Sequence, residues 1–173
     1  MQTINSITEF IEKLDGSEIE SFPKLIKKLN IPYSEFEKYA TWNEYRYTRN
    51  CIARTATYEM ILLCWNKEQE TPIHEHGGQK CWVYQVNGEV EEYRYQKEKT
   101  GELTETSKAN LTSGNITYMD DRMGYHALKN IYNHRCMTLH IYVLPIDSCE
   151  VFCDKKEDFI IKELEYDSIA KAF

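Results

Sequence analysis

The residues best suited to chemistry in this chain are two histidines set two apart, His74 and His76, within Thr71-Pro-Ile-His-Glu-His-Gly-Gly-Gln-Lys-Cys81. Side chains alternate along an extended backbone, so residues two apart point to one face. Two imidazoles on one face can share a metal ion, and Gly77-Gly78 lets the backbone turn away just beyond them. A His-x-His pair alone reads more simply as a surface turn, so its weight rests on its company. A third histidine, His126, follows in the segment Gly114 to Asn130. Three neutral imidazoles would bind a metal with no anionic protein ligand, leaving its charge to be balanced by a bound substrate. Zinc also accepts three histidines and a water, so the donor set alone leaves the metal open.

Two more constellations carry chemistry. Tyr45, Tyr47 and Arg49 alternate in Tyr45-Arg-Tyr-Thr-Arg-Asn50, and a guanidinium fork suits a carboxylate. Taken alone, Arg49 is as well explained as a surface ion-pair partner in an acidic protein. Thr138, His140 and Tyr142 alternate in the same way. Without context, His140 could be a satisfied core histidine and Tyr142 ordinary packing. His134, in a polar Asn-His-Arg turn, reads as a loop residue.

The elements that must position these residues fall into two parts. Residues 1–40 read as helical. Ile7, Phe10, Ile11 and Leu14 recur at helical spacing, with Asn5 or Ser6 as cap and Gly16 as stop. A second helix is expected over Ser21 to Leu29, and a short third one after Pro32. From Tyr45 onward the pattern is strand-like, as in Thr57 to Trp65, Cys81 to Val86, Val90 to Tyr95 and Arg135 to Val143. Frequent turns between short strands suggest an antiparallel barrel or sandwich. The acidic stretch from Asp154 to Glu165 reads as an edge cover or a loose tail.

The 173 residues fit one domain. The expected division is helices over 1–40, a barrel over 41–155 and a C-terminal extension over 156–173. A net charge of -7 argues against nucleic acid as a partner. No segment approaches the roughly 20 apolar residues that span a bilayer, and no export signal is visible at the N-terminus. A cytoplasmic monomer with no membrane or nucleic-acid partner is therefore expected. Its six cysteines are expected to be reduced, with Cys64 and Cys136 in the core.

The two histidine segments together resemble the paired motifs of cupins at His74, His76, Gly88, Gly114, His126 and Asn130. Two positions depart from that pattern: Cys81 stands where a glutamate is usual, and Asp120 where a proline is usual. With Cys81 in that slot, the chain is identified as similar to the cysteine dioxygenase family. Tyr45 to Asn50, Ile61 to Trp65, Ile73 to His76, Gly124 to His126, Leu139 to Tyr142 and Pro145 to Cys149 carry the likeness. It extends over residues 43 to 152.

The resemblance implies an all-β core within an α+β chain, a cupin jelly-roll barrel with N-terminal helices packed on it. It implies one Fe(II) per chain held by His74, His76 and His126, and conversion of L-cysteine and O2 to cysteine sulfinic acid. Arg49 would hold the substrate carboxylate with support from Tyr47. Tyr142 would face iron and substrate, positioned by Thr138 and His140 through a hydrogen-bond relay. Cys81 and Tyr142 would be joined by a thioether, a cofactor made from the protein itself. Trp65 would pack near the pocket, and Cys149 would lie beside it. The alternatives are a dioxygenase for another small thiol acid such as 3-mercaptopropionate, or a non-catalytic metal-binding cupin.

Overall fold

The computed structural model describes residues 2–170. Helix α1, Ile7–Asp15, begins where Ser6 Oγ accepts the Glu9 N–H at 3.1 Å, and it buries Ile7, Phe10, Ile11 and Leu14. The second helix is shorter than the apolar spacing suggests. Only Phe22–Ile26 (α2) is α-helical, behind a 3-10 turn at Ile19–Ser21. The reason lies in Ile4, which pairs with Leu29 as a parallel bridge; its N–H and C=O engage Lys28 and Asn30 and draw that stretch out of the helix. Helix α3, Tyr33–Glu37, follows Pro32 and buries Phe36.

Among the described residues eleven strands follow: β1 Thr48–Arg54, β2 Tyr58–Trp65, β3 Lys80–Asn87, β4 Glu89–Lys97, β5 Leu103–Thr112, β6 Ile116–Met119, β7 Tyr125–Asn130, β8 Cys136–Val143, β9 Ser148–Cys153, β10 Asp158–Glu163 and β11 Ser168–Ile169. One sheet has the order β11-β1-β2-β8-β3-β6, and facing it are the ribbon β10-β9 and the sheet β5-β4-β7. His74 joins these last two pieces, bridging to His126 on β7 and to Val151 on β9. The expected strand-rich architecture with N-terminal helices is present, but the sheets do not close into a barrel. They face one another as two layers, and the site lies between them.

Strands β2 and β8 are buried at every position. Both faces are covered, which accounts for their unbroken apolar runs. Met137, Leu139, Ile141 and Val143 join the cluster beneath the helices, together with Met60, Leu62 and Cys64. The alternate residues, including Ile61, Leu63, Trp65, Cys136 and Tyr142, face the second layer. This parity sends Thr138, His140 and Tyr142 to the inside of the sandwich rather than toward the helices.

Candidate metal centre and substrate pocket

His74, His76 and His126 come together with a potential donor atom on each ring within 4.8 Å of the others. Their ring centroids are 4.7–5.4 Å apart. Two of the rings have a defined orientation. His74 Nδ1 lies 2.9 Å from the Pro72 carbonyl, and His126 Nδ1 lies 2.8 Å from Glu92 Oε1. Both acceptors call for a proton on Nδ1, which leaves Nε2 as a lone pair directed into the cluster. His126 Nε2 and both nitrogens of His76 are buried without a hydrogen-bond partner. A buried polar atom left unpaired costs about 1–3 kcal/mol. One ion among the three rings would supply the missing partner, so the donor set fits a metal. Burial also keeps the rings neutral: it pulls His74 down to about 4 and holds His76 and His126 well below the usual imidazole value.

Glu92 is the residue that reading the sequence missed. It lies on β4, almost fully buried, where it accepts from Thr117 Oγ1 at 2.8 Å and Arg94 Nη2 at 3.1 Å as well as orienting His126. The signal available was strand parity. Val90 and Glu92 are buried while their neighbour Glu91 is not, so one carboxylate of an ordinary-looking Glu-Glu pair faces the core. The loop before β7 also matters, because Asp121 accepts the backbone N–H groups of His76 and Gly78 and so ties the two histidine segments together.

Beside the histidines is a pocket whose lining includes Tyr47, Arg49, His74, His140, Tyr142 and Cys149. Arg49, on β1, donates from Nε to the Glu165 carbonyl at 3.3 Å, while its Nη2 is buried with no partner. Tyr47 stacks on Trp65, with centroids 4.8 Å apart. Tyr45, expected on the same face, is instead 92% exposed, because the strand starts only at Thr48.

Trp65 Nε1–H, at the end of β2, donates to Thr138 Oγ1 on β8 at 3.0 Å, and that hydroxyl lies 3.0 Å from His140 Nε2. With the indole filling a lone pair, the hydroxyl proton is free to go to Nε2, which places the His140 ring proton on Nδ1. His140 Nδ1 is buried and unpaired. The first link of the expected relay is thus present. From His140 to Tyr142 the rings run nearly parallel at 6.3 Å, with no hydrogen bond between them. Cys81 and Tyr142 are register partners across β3 and β8, and Cys81 is a free thiol. Burial raises the Cys81 thiol and the Tyr142 phenol far above their usual values, so both hold their protons.

A family model described as cysteine dioxygenase type I matches residues 1–155. The chain belongs to that family. It is 26% identical over 142 residues to the Homo sapiens cysteine dioxygenase type 1, a match covering 80% of this chain and 71% of the relative. It is 28% identical over 123 residues to the Bos taurus protein of that name, covering 69% and 62%. Among solved structures, TT1209 from Thermus thermophilus matches at TM-score 0.51 and 18% identity, over 63% of this chain and 93% of that one. A double-stranded β-helix protein from Klebsiella pneumoniae matches at TM-score 0.50 and 16% identity, over 62% and 85%. These distant likenesses show the fold, a cupin; the family membership supports a thiol dioxygenase acting on small molecules. Among the described residues, no helix is long and apolar enough to cross a membrane. The family match ends before β10 begins, so the segment that lines part of the pocket lies beyond it.

Proposed function

We propose that this protein is an iron-dependent dioxygenase that converts L-cysteine and O2 to cysteine sulfinic acid. The observation that carries this reading is the shared pocket: Arg49, with an unpartnered guanidinium nitrogen, and His74 of the three-imidazole cluster both line it, fitting a small molecule with a carboxylate at one end and a metal-binding thiol at the other. Iron bound by His74, His76 and His126 would supply the redox chemistry that joins O2 to sulfur. Both oxygen atoms enter the product, taking the thiol to the sulfinate rung of the oxidation ladder with no outside reductant.

The chain's own residues orient and protect. Arg49 holds the carboxylate, and with Nε on the Glu165 carbonyl the fork meets its substrate already fixed in direction. Tyr47, stacked on Trp65, walls the carboxylate end. Tyr142 presents a protonated hydroxyl, and Thr138 fixes the tautomer of His140 beside it. Cys81 and Tyr142, opposed across two strands, are the pair a thioether would join, O2 taking up the two hydrogens lost; the bond would anchor the phenol and remove a competing thiol.

The test is metal analysis of purified protein followed by O2 uptake and product identification. The reading expects close to one iron per chain, consumption of one O2 per L-cysteine and cysteine sulfinic acid as product. It fails if iron-loaded protein leaves L-cysteine unoxidised, or if 3-mercaptopropionate is much the better substrate.

A further inference from the structure

Five residues line both the outer vestibule and the inner pocket beside the histidines: Tyr47, Arg49, Pro72, Lys162 and Leu164. They mark the neck where the two cavities adjoin. Lys162 and Leu164 come from the end of β10 and the residue after it, beyond the residues that the family model matches.

Strand β10 sets Ile160 opposite Val151 and Lys162 opposite Cys149 on β9. Cross-strand partners project from the same face, and Val151 and Cys149 are each 5% exposed in the inner cluster. Ile160 and Leu164 pack against that same cluster. Lys162 is exposed, yet it stands in register with Cys149 in an Ile-x-Lys-x-Leu alternation and lines both cavities.

Apart from Arg49, the other cations lining the vestibule have acidic partners. Arg46 is held by both oxygens of Asp167, at 2.6 and 2.9 Å, and Lys67 lies 3.9 Å from Glu68. The salt-bridged lysines among the described residues are Lys13, Lys38, Lys67, Lys108 and Lys129; Lys162 is not one of them. The pocket's own carboxylate, Glu75, accepts the N–H groups of Gly77 at 2.6 Å and Glu150 at 2.7 Å. Outside the neck the vestibule carries Glu68, Glu70, Glu163 and Glu165, and the whole chain has a net charge of -7. Of these, Glu68 and Glu70 are paired with Lys67 and Lys129, whereas Glu163 and Glu165 are not among the salt-bridged residues described.

We propose that Lys162 is the entry contact for the substrate carboxylate, taking it at the neck before Arg49 receives it and so favouring thiols that carry that group. The proposal rests on the reading of the site as a thiol dioxygenase. A purely structural role is the alternative, since a lysine on an edge strand also deters edge-to-edge pairing. That role predicts no dependence on substrate charge.

The experiment is calorimetric titration of iron-loaded protein under argon with 3-mercaptopropionate (a net anion), L-cysteine (a zwitterion) and cysteamine (a cation), at low and high salt. Relative to wild type, Lys162→Glu should weaken 3-mercaptopropionate by about tenfold, the scale of a close charge contact, weaken cysteine less and strengthen cysteamine. Salt should compress these differences. Lys162→Arg should restore wild-type binding, and Lys162→Met, which keeps the stem, should fall between. Lys108→Gln, a charge change remote from the neck, should match wild type. Equal binding of each ligand by wild type, Lys162→Glu and Lys162→Met, or loss without regard to ligand charge, would overturn the proposal, as would absence of carboxylate-thiol binding by the wild type. Binding with the expected charge order but no cysteine oxidation would sink the dioxygenase reading and leave the neck contact standing.

Discussion

At the residue scale, the centre depends on groups that do not touch the metal as well as on those that would. Glu92 fixes the His126 tautomer from the buried side of β4. Partners of this kind typically account for 10–100-fold in metal affinity. Glu92→Gln keeps the shape but changes the acceptor charge, so iron affinity measured by chelator competition should fall by about that factor. Unchanged affinity would reduce Glu92 to a packing role. Arg49→Ala should retain iron and lose about one to two decades in kcat/KM for cysteine, since a hydrogen bond to a charged group contributes roughly 1.5–3 kcal/mol. Wild type that oxidised cysteamine as well as cysteine would contradict that assignment. The Cys81–Tyr142 thioether has its own signature: intact mass two hydrogens lower and a faster band on a denaturing gel, both growing with turnover and absent in Cys81→Ser. An active enzyme with one species of unmodified mass would remove the cross-link and leave the dioxygenase reading intact.

At the element scale, β7 depends on one glycine. Gly124 has φ of 88°, and a Cβ there would run into the Tyr95 carbonyl oxygen and the Gln96 amide. Neighbouring β4 leaves no room, because Tyr95 is the register partner of Tyr125, the residue after Gly124. Gly124→Ala should therefore cost about 2–4 kcal/mol, the sum of left-handed strain and a backbone clash, and should displace His126 two residues on. Urea unfolding checks the first effect and iron content the second; wild-type values for both would show that the turn yields. The elements differed in how legible they were. α1 could be read from its cap and stripe, and β2 and β8 from apolar runs covered on both faces. α2 could not, because its end is decided by Ile4, more than twenty positions away. Glu92 was hidden in an acidic strand whose register only the fold reveals. The stretch after Cys153 read as either an edge cover or a loose acidic tail; Ile160, Leu164 and Tyr166 pack against the inner cluster and Lys162 lines the pocket, as a cover does. Its alternation is too short to separate from chance without β9 beside it.

At the scale of the whole molecule, the site is coupled to stability through its buried imidazoles. Burial holds His74, His76, His126 and His140 below the usual histidine range, with His74 at about 4. In the unfolded chain each returns to about 6.5. As pH falls from about 6.5 toward 4, the unfolded state takes up protons that the folded state refuses, so stability rises with pH through this window and is lost on acidification. Each imidazole contributes up to about 1.4 kcal/mol per pH unit to that slope. Glu59 and Glu75 act the other way, since burial raises both carboxyls and the folded state then holds protons that the unfolded state releases. The clean measurement is therefore a difference. Urea unfolding of metal-free wild type and His126→Ala from pH 7 to pH 5 should give curves that converge as pH falls, because the variant lacks one of the four refused protons. Bound metal should add stability near neutrality and lose it on the same acid side, since it requires the same neutral rings. Parallel curves for the metal-free proteins would mean that His126 takes up a proton as readily folded as unfolded. The closed, unprotonated cluster would then have to be assembled by the metal rather than by the fold.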